Sequence, residues 1–111
     1  MVQHQRHLDS SFGALADQTR RGILERLGRA DASITDLASA FDMTLTGMKK
    51  HVQILEVAGL VKTEKVGRVR TCKLGPRRLD DENAWISQYQ QMLEARLDRL
   101  GQFLERTKGK P

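Results

Sequence analysis

Apolar residues recur along most of this chain at three- and four-residue spacing, and only one short stretch departs from that period. Phe12, Leu15 and Ala16 in "SFGALAD" predict a first helix, with Asp9 or Ser10 placed to open it. Ile23, Leu24 and Leu27 form the stripe of a second, "QTRRGILERLGRA", which Asp17 can cap and which Gly28 and the polar "RADAS" bring to an end. Ser33 and Asp36 then stand three apart as a capping signal for "ITDLASAF", whose Leu37, Ala38 and Phe41 are expected to face inward. A fourth helix opens almost at once in "MTLTGMKKHVQIL", with Thr44 as its cap, Met48, Val52 and Leu55 as its apolar stripe and Gly59 as its stop. Two short helices separated only by "DMT" have the rhythm of a helix-turn-helix.

The period changes after Gly59. Leu60–Glu64 and Val69–Leu74 are β-capable runs around "KVGR", with Gly67 supplying the positive φ that a tight hairpin turn uses and Pro76 closing the segment. Alternation sets Arg70, Cys72 and Leu74 on one face; Leu74 is expected on the core and Cys72 at least partly inward. From about residue 80 to 107 the chain reads as one long helix, with Asp80, Asp81 and Glu82 at its positive end. The predicted fold class is mainly α with a small β-hairpin (α+β), a single domain over residues 1–111 without repeats or low-complexity segments.

On a helical wheel the fourth helix, residues 44–58, turns Met48, Val52 and Leu55 to one side, with His51 and Ala58 at one margin and Leu45 at the other. Thr46, Lys50 and Gln53 point the opposite way, flanked by Lys49. Long polar donors on an outer helix face are what reading base edges in a major groove requires, and basic neighbours hold phosphates. Gly47 in the first turn gives up about 1 kcal/mol of propensity against Ala, which suits a place where backbone comes close to DNA.

Charge reinforces this picture. Residues 43–78 hold nine basic side chains against Glu56 and Glu64, a local +7, so the rest of a chain of net charge +5 carries −2. Lys65 and Arg68 sit at the hairpin tip and Arg70 and Lys73 on its second strand; a basic hairpin over residues 62–73, directly after a reading helix, is a wing. Other classes recede. No apolar run approaches the roughly 20 residues that span a bilayer, and the start is too polar for a signal peptide. Cys72 is alone, so no secretory disulfide framework exists, and a cytoplasmic location is expected. No activated nucleophile, Gly-rich phosphate loop or carboxylate–histidine constellation suggests an enzyme.

Taken in order, "FGALADQTRRGILERL", "ITDLASAFDMTLTGMKKHVQILEVAGLV" and "VGRVRTCKL" resemble the ArsR family of bacterial winged helix-turn-helix transcriptional repressors over about residues 8–107. Family sequences read A-L-A-D-P-T-R-R, which Ala14–Arg21 matches with Gln18 at the proline. Lys50, His51, Leu55, Ala58, Gly59, Leu60 and Val61 fit the recognition-helix pattern S-x-x-x-V-S-K-H-L-x-x-L-x-x-A-G-L-V, and Gly67, Arg68 and Arg70 the G-R-x-R wing. The resemblance implies a homodimer that binds a palindromic double-stranded DNA operator and represses transcription.

The assigned DNA-binding residues are Thr44, Thr46, Lys49, Lys50, Gln53, Lys65, Arg68 and Arg70. Thr44, Leu45, Thr46, Gly47 and Lys49 depart from the family's usual Ser-Gln-Pro-Ala and Ser, so base preference does not carry over. Metal-sensing members use a C-x-C pair in the helix before the recognition helix, or Asp/His and His/Glu sets in the last one. Neither is present here: "ITDLASAF" has no Cys or His, and no His follows His51, so neither metal nor cofactor is expected. His4 and His7 make only a terminal H-x-x-H.

Trp85, Ile86, Tyr89, Met92, Leu93, Leu97, Leu100, Phe103 and Leu104 line about 30 Å of the last helix, more than a small core can cover, and Ile86, Leu93 and Leu100 are seven apart. They are the expected dimer interface, with Leu8, Phe12 and Leu15 of the first helix added by the resemblance. The competing reading is a winged-helix adaptor whose long helix seats a different protein. The residues name no inducer.

Overall fold

The structure, a computed structural model, describes residues 2–108, with side chains from His7 onward; His4 lies outside that range. The element order is α1 (Val2–Leu15), α2 (Gln18–Leu27), β1 (Ala32–Ser33), α3 (Ile34–Ala40), α4 (Leu45–Val57), β2 (Val61–Val66), β3 (Val69–Leu74) and α5 (Asp80–Lys108). These form two compact units that divide between Arg78 and Leu79.

In the first unit the helices begin where the capping residues stand. Asp17 accepts from the Arg20 N–H at 3.0 Å, Ser33 from Asp36 at 3.0 Å and Thr44 from Gly47 at 3.0 Å, each satisfying an N–H that the helix leaves without a partner. Helix α1 starts seven residues before Asp9. No Gly or Pro interrupts the chain before Gly13, so Asp9 and Ser10 lie within the helix instead of opening it, and the next residue, Ser11, donates its hydroxyl to the His7 carbonyl at 2.9 Å.

Between α3 and α4 the chain turns on Asp42, at φ 52°, with Asp42 N–H bonded to Ser39 O and Met43 N–H to Ala38 O. Helix α4 ends the same way: Gly59, at φ +79°, donates to Glu56 O while Leu60 donates to Leu55 O.

Strands β2 and β3 pair antiparallel from Val61↔Leu74 to Val66↔Val69 around a two-residue turn of Gly67, at φ +64°, and Arg68. A third strand, absent from the sequence reading, lies on the other edge of β3: Ala32 opposes Cys72 and Ser33 opposes Thr71. At two residues β1 is too short to show a period, and Ser33 serves both as its end and as the cap of α3.

The core gathers Ile23, Leu27, Ile34, Leu37, Met48, Val52, Leu55, Val61 and Cys72, all buried. Each large aliphatic among them contributes about 1.5–3 kcal/mol through burial. Two expectations change. Leu74 is 44% exposed: it shares the inner face with Cys72 but stands at the strand's end, opposite Val61, which enters the core in its place. Phe41 is half-buried, its ring lying against Gly22, where an added Cβ would sit 2.9 Å from the ring.

The second unit is α5 alone, a single helix of 29 residues and so about 43 Å long.

Candidate nucleic-acid interface

Helix α4 is held from its inner side. Met48, Val52 and Leu55 are at most 2% exposed, and Ala58 is buried at its end. His51, at the margin, is tied to α2: Arg20 Nη1 lies 3.2 Å from His51 Nδ1, while the same guanidinium donates through Nε to Ala14 O at 2.8 Å and through Nη2 to Gly13 O at 3.1 Å. Arg21 donates to Leu15 O at 2.7 Å. The two arginines of "ADQTRR" therefore close the carboxyl end of α1, and Arg20 also links it to α4. Asp17 stands 3.9 Å from the same imidazole. Its carboxyl is held below the usual range, first by the Arg20 N–H it accepts and further by the Arg20 and His51 charges.

On the outer side Thr44, Thr46, Lys49, Lys50 and Gln53 are all exposed, on one continuous surface. Thr44 uses an oxygen lone pair for its cap and keeps its O–H as a donor. Two apolar side chains that the wheel reading passed over share this surface: Ile54 is 42% exposed and Val57 75%. Their spacing from Lys50, four and seven residues, was the signal that could have found them. Gly47 has a local reason beyond any close approach, since a Cβ there would meet Thr44 Oγ1 at 3.1 Å and Met43 Cε at 3.3 Å.

The wing sorts its cations. The Lys65 and Arg68 side chains are exposed at the tip and make no ion pair or hydrogen bond with the described residues. Lys73 pairs with Glu64 at 3.5 Å. Arg70, expected beside Lys65 and Arg68, directs Nη1 to Thr63 Oγ1 at 2.9 Å, and Thr63 in turn donates to Glu56 of α4 at 2.9 Å.

Arg77, counted with the basic stretch, is turned inward. It donates to Ala58 O at 2.7 Å and to Ser11 Oγ, and meets His7 Nε2, joining α1 to the end of α4. A sum of charges carries no direction, so the sequence could not separate Arg77 from the outward-facing cations.

Cys72 is fully buried between Ala32 and Thr63 on the neighbouring strands, and burial, followed by the Glu56 charge, pushes its thiol up to about 11. A thiol so placed is a small core group. Among the described residues no group of three or more His, Cys, Asp or Glu is arranged to hold a metal, and no helix is long and apolar enough to cross a membrane.

Of the residues assigned to an interface between chains, Leu8 is buried in the chain itself, while Phe12 and Leu15 are half-buried. The α5 residues Trp85, Ile86, Tyr89, Met92, Leu93, Leu97, Leu100, Phe103 and Leu104 are each between 45% and 63% exposed. Trp85 and Tyr89, one turn apart, stack with ring centroids 5.8 Å apart and planes 8° apart.

A capped helix pair with a polar outer face, followed by a hairpin with a cationic tip, defines the winged helix-turn-helix class of DNA-binding domain. A helix-turn-helix domain model matches residues 15–64. The chain is 30% identical over 98 residues to the HTH-type transcriptional regulator Rv2034 of Mycobacterium tuberculosis, covering 81% of this chain and 92% of that one. It is 28% identical over 79 residues to the transcriptional repressor SdpR of Bacillus subtilis, covering 71% and 88%. Among solved structures it is similar to an ArsR family transcriptional regulator at 41% identity and TM-score 0.73, over 81% of this chain and 93% of that one. An ArsR-like transcriptional regulator from Rhodococcus sp. RHA1 matches at 32% identity and TM-score 0.79, over 96% and 97%. The chain belongs to the ArsR family of winged helix-turn-helix transcriptional regulators.

Proposed function

We propose that this protein is a cytoplasmic homodimeric repressor that reads a palindromic operator and senses no metal. The observation that carries the reading is α4 itself, buried along Met48, Val52 and Leu55 and exposed along Thr46, Lys49, Lys50 and Gln53. In the proposed complex Thr46, Lys50 and Gln53 reach base edges in the major groove, and the exposed Ile54 offers an apolar contact of the kind that recognises a thymine methyl. Thr44 and Lys49 hold the adjoining backbone, Thr44 through the hydroxyl proton its cap leaves available. Lys65 and Arg68 extend this grip to flanking phosphates.

Dimerisation is supported by the α5 stripe, whose nine large apolar side chains stand about half-exposed in the single chain. Pairing along α5, with Phe12 and Leu15 adding to it, gives a two-fold arrangement with recognition helices about 34 Å apart, one turn of DNA. Repression fits a chain that offers surfaces for DNA and for a second copy, and SdpR, similar over 71% of this chain, is a repressor.

The reading is tested by selecting bound sites from random duplexes and measuring affinity against salt. Lys50→Ala should weaken the selected site by about 1–3 kcal/mol and relax preference at one base pair. Arg68→Ala should weaken all sequences alike and lower the slope of log affinity against log salt by about one unit. Binding that is indifferent to both substitutions, or that shows no salt dependence, rejects it.

A further inference from the structure

The groove between α4 and the wing, about 380 Å³, is lined by Lys49, Gln53 and Glu56 from the helix and by Thr63 and Arg70 from the hairpin. Lys49, Gln53 and Glu56 are four and then three residues apart, so they form one row on the helix, and its last member is an acid in an otherwise basic surface. That acid is engaged. Thr63 Oγ1 donates to Glu56 Oε2 at 2.9 Å and accepts from Arg70 Nη1 at 2.9 Å.

The direction of both bonds is fixed by chemistry. A guanidinium only donates and an ionised carboxylate only accepts, so the hydroxyl between them must do both. The relay crosses from β3 over β2 to α4, because Thr63 opposes Cys72 in the ladder and Arg70 stands two residues before it on the same face. Arg70 is thereby turned towards the helix, unlike Lys65 and Arg68 at the tip.

We propose that Thr63 and Glu56 are positioning residues for DNA recognition: they hold Arg70 as a strut that sets the angle between the wing and the recognition helix, in place of a phosphate ligand. This rests on the reading that α4 and the wing tip bind one duplex. It assigns Arg70 a different task from its neighbours and gives the acid on the reading row a reason to be there. If the strut is removed, Lys65 and Arg68 still neutralise phosphates, but the wing no longer seats the outer face of α4 in register with the base edges.

Thr63→Val tests this without changing any charge, and valine suits a strand, so the fold is expected to hold by circular dichroism and thermal melting. Affinity for the selected duplex should fall about tenfold, the scale of one or two partly exposed hydrogen bonds, while the salt slope stays at the wild-type value. Thr63→Ser, which keeps the hydroxyl, should restore the affinity. Arg70→Ala should cost about as much as Thr63→Val, and the two together little more than either alone. An Arg70→Ala slope lower by about one unit, as for Arg68→Ala, or an additive loss in the double variant, makes Arg70 a phosphate ligand and overturns the proposal. Unchanged affinity in Thr63→Val overturns it as well. A wild-type protein without salt-dependent affinity for any duplex fails differently, since it rejects the DNA reading and this role with it.

Discussion

Single atoms set some of the hardest constraints in this molecule. Gly75 donates its N–H to Leu60 O at 2.9 Å, and a Cβ on it would sit 2.5 Å from Gly59 O and 3.3 Å from the Leu60 carbonyl carbon. Both neighbours are backbone, so no side chain can swing aside. Gly75→Ala should therefore destabilise the protein by about 1–3 kcal/mol, seen as a lower denaturation midpoint with an unchanged slope. Cys72 makes a complementary point. Buried, and with its thiol raised to about 11, it should resist thiol reagents at pH 8 in the native protein and react only after denaturant is added. Rapid labelling of the folded chain would contradict this placement. The raised value also means that the neutral thiol is favoured by folding, so its contribution is complete below the unfolded thiol's pKa and declines as pH rises through about 11.

Elements here are decided mostly by their ends, and that is also why much of the fold could be read from the sequence. Asp17, Ser33 and Thr44 cap α2, α3 and α4, and Gly59 ends α4, because oxygen-bearing side chains and a glycine at these positions satisfy specific backbone groups. The start of α1 was illegible for the converse reason: nothing in residues 2–8 obliges a helix to begin later. Strand β1 and the Arg70–Thr63–Glu56 relay were hidden because both arise from partners brought together by the hairpin register, at separations no local period records. At the site, the outward residues of α4 followed from the 3.6-residue period, but Arg70 and Arg77 did not, since their direction depends on what lies across from them. The α2 cap supplies a pH prediction. Asp17 has its carboxyl lowered in the folded chain, so its ionised form adds stability above the unfolded value near 4, and that addition is lost as pH falls through the folded value. Asp17→Asn keeps a capping oxygen without the charge; the stability gap between it and the wild type should be present at pH 7 and close towards pH 2 in urea melts. A gap that stays constant over that range would assign the effect to something other than the charge.

At the scale of the whole molecule the stripe on α5 is the feature with the largest consequence. Leu97 is 57% exposed, so Leu97→Glu removes little from the fold of the single chain yet places a charge in the middle of the proposed seam. The expected result is a monomer by light scattering at concentrations where the wild type is a dimer, with an unchanged helical signal and an affinity for a two-fold operator that falls to the level of a half-site control. A variant that remains dimeric would move the seam elsewhere on the chain.

The junction between the reading helix and the wing carries a last implication, for how this protein can change over time. Only residues 58–60 separate α4 from β2; Ala58 and Leu60 are buried, Gly59 takes its positive φ, and Gly75 and Arg77 are bonded to the carbonyls of Leu60 and Ala58. There is no slack in that hinge. Inserting or deleting one residue would turn the wing to its opposite face or pull a bonded carbonyl out of place. New binding specificities in this lineage are therefore expected to arise by exchanging side chains on the outer face of α4, at constant chain length, while length variation collects at the termini and at the wing tip.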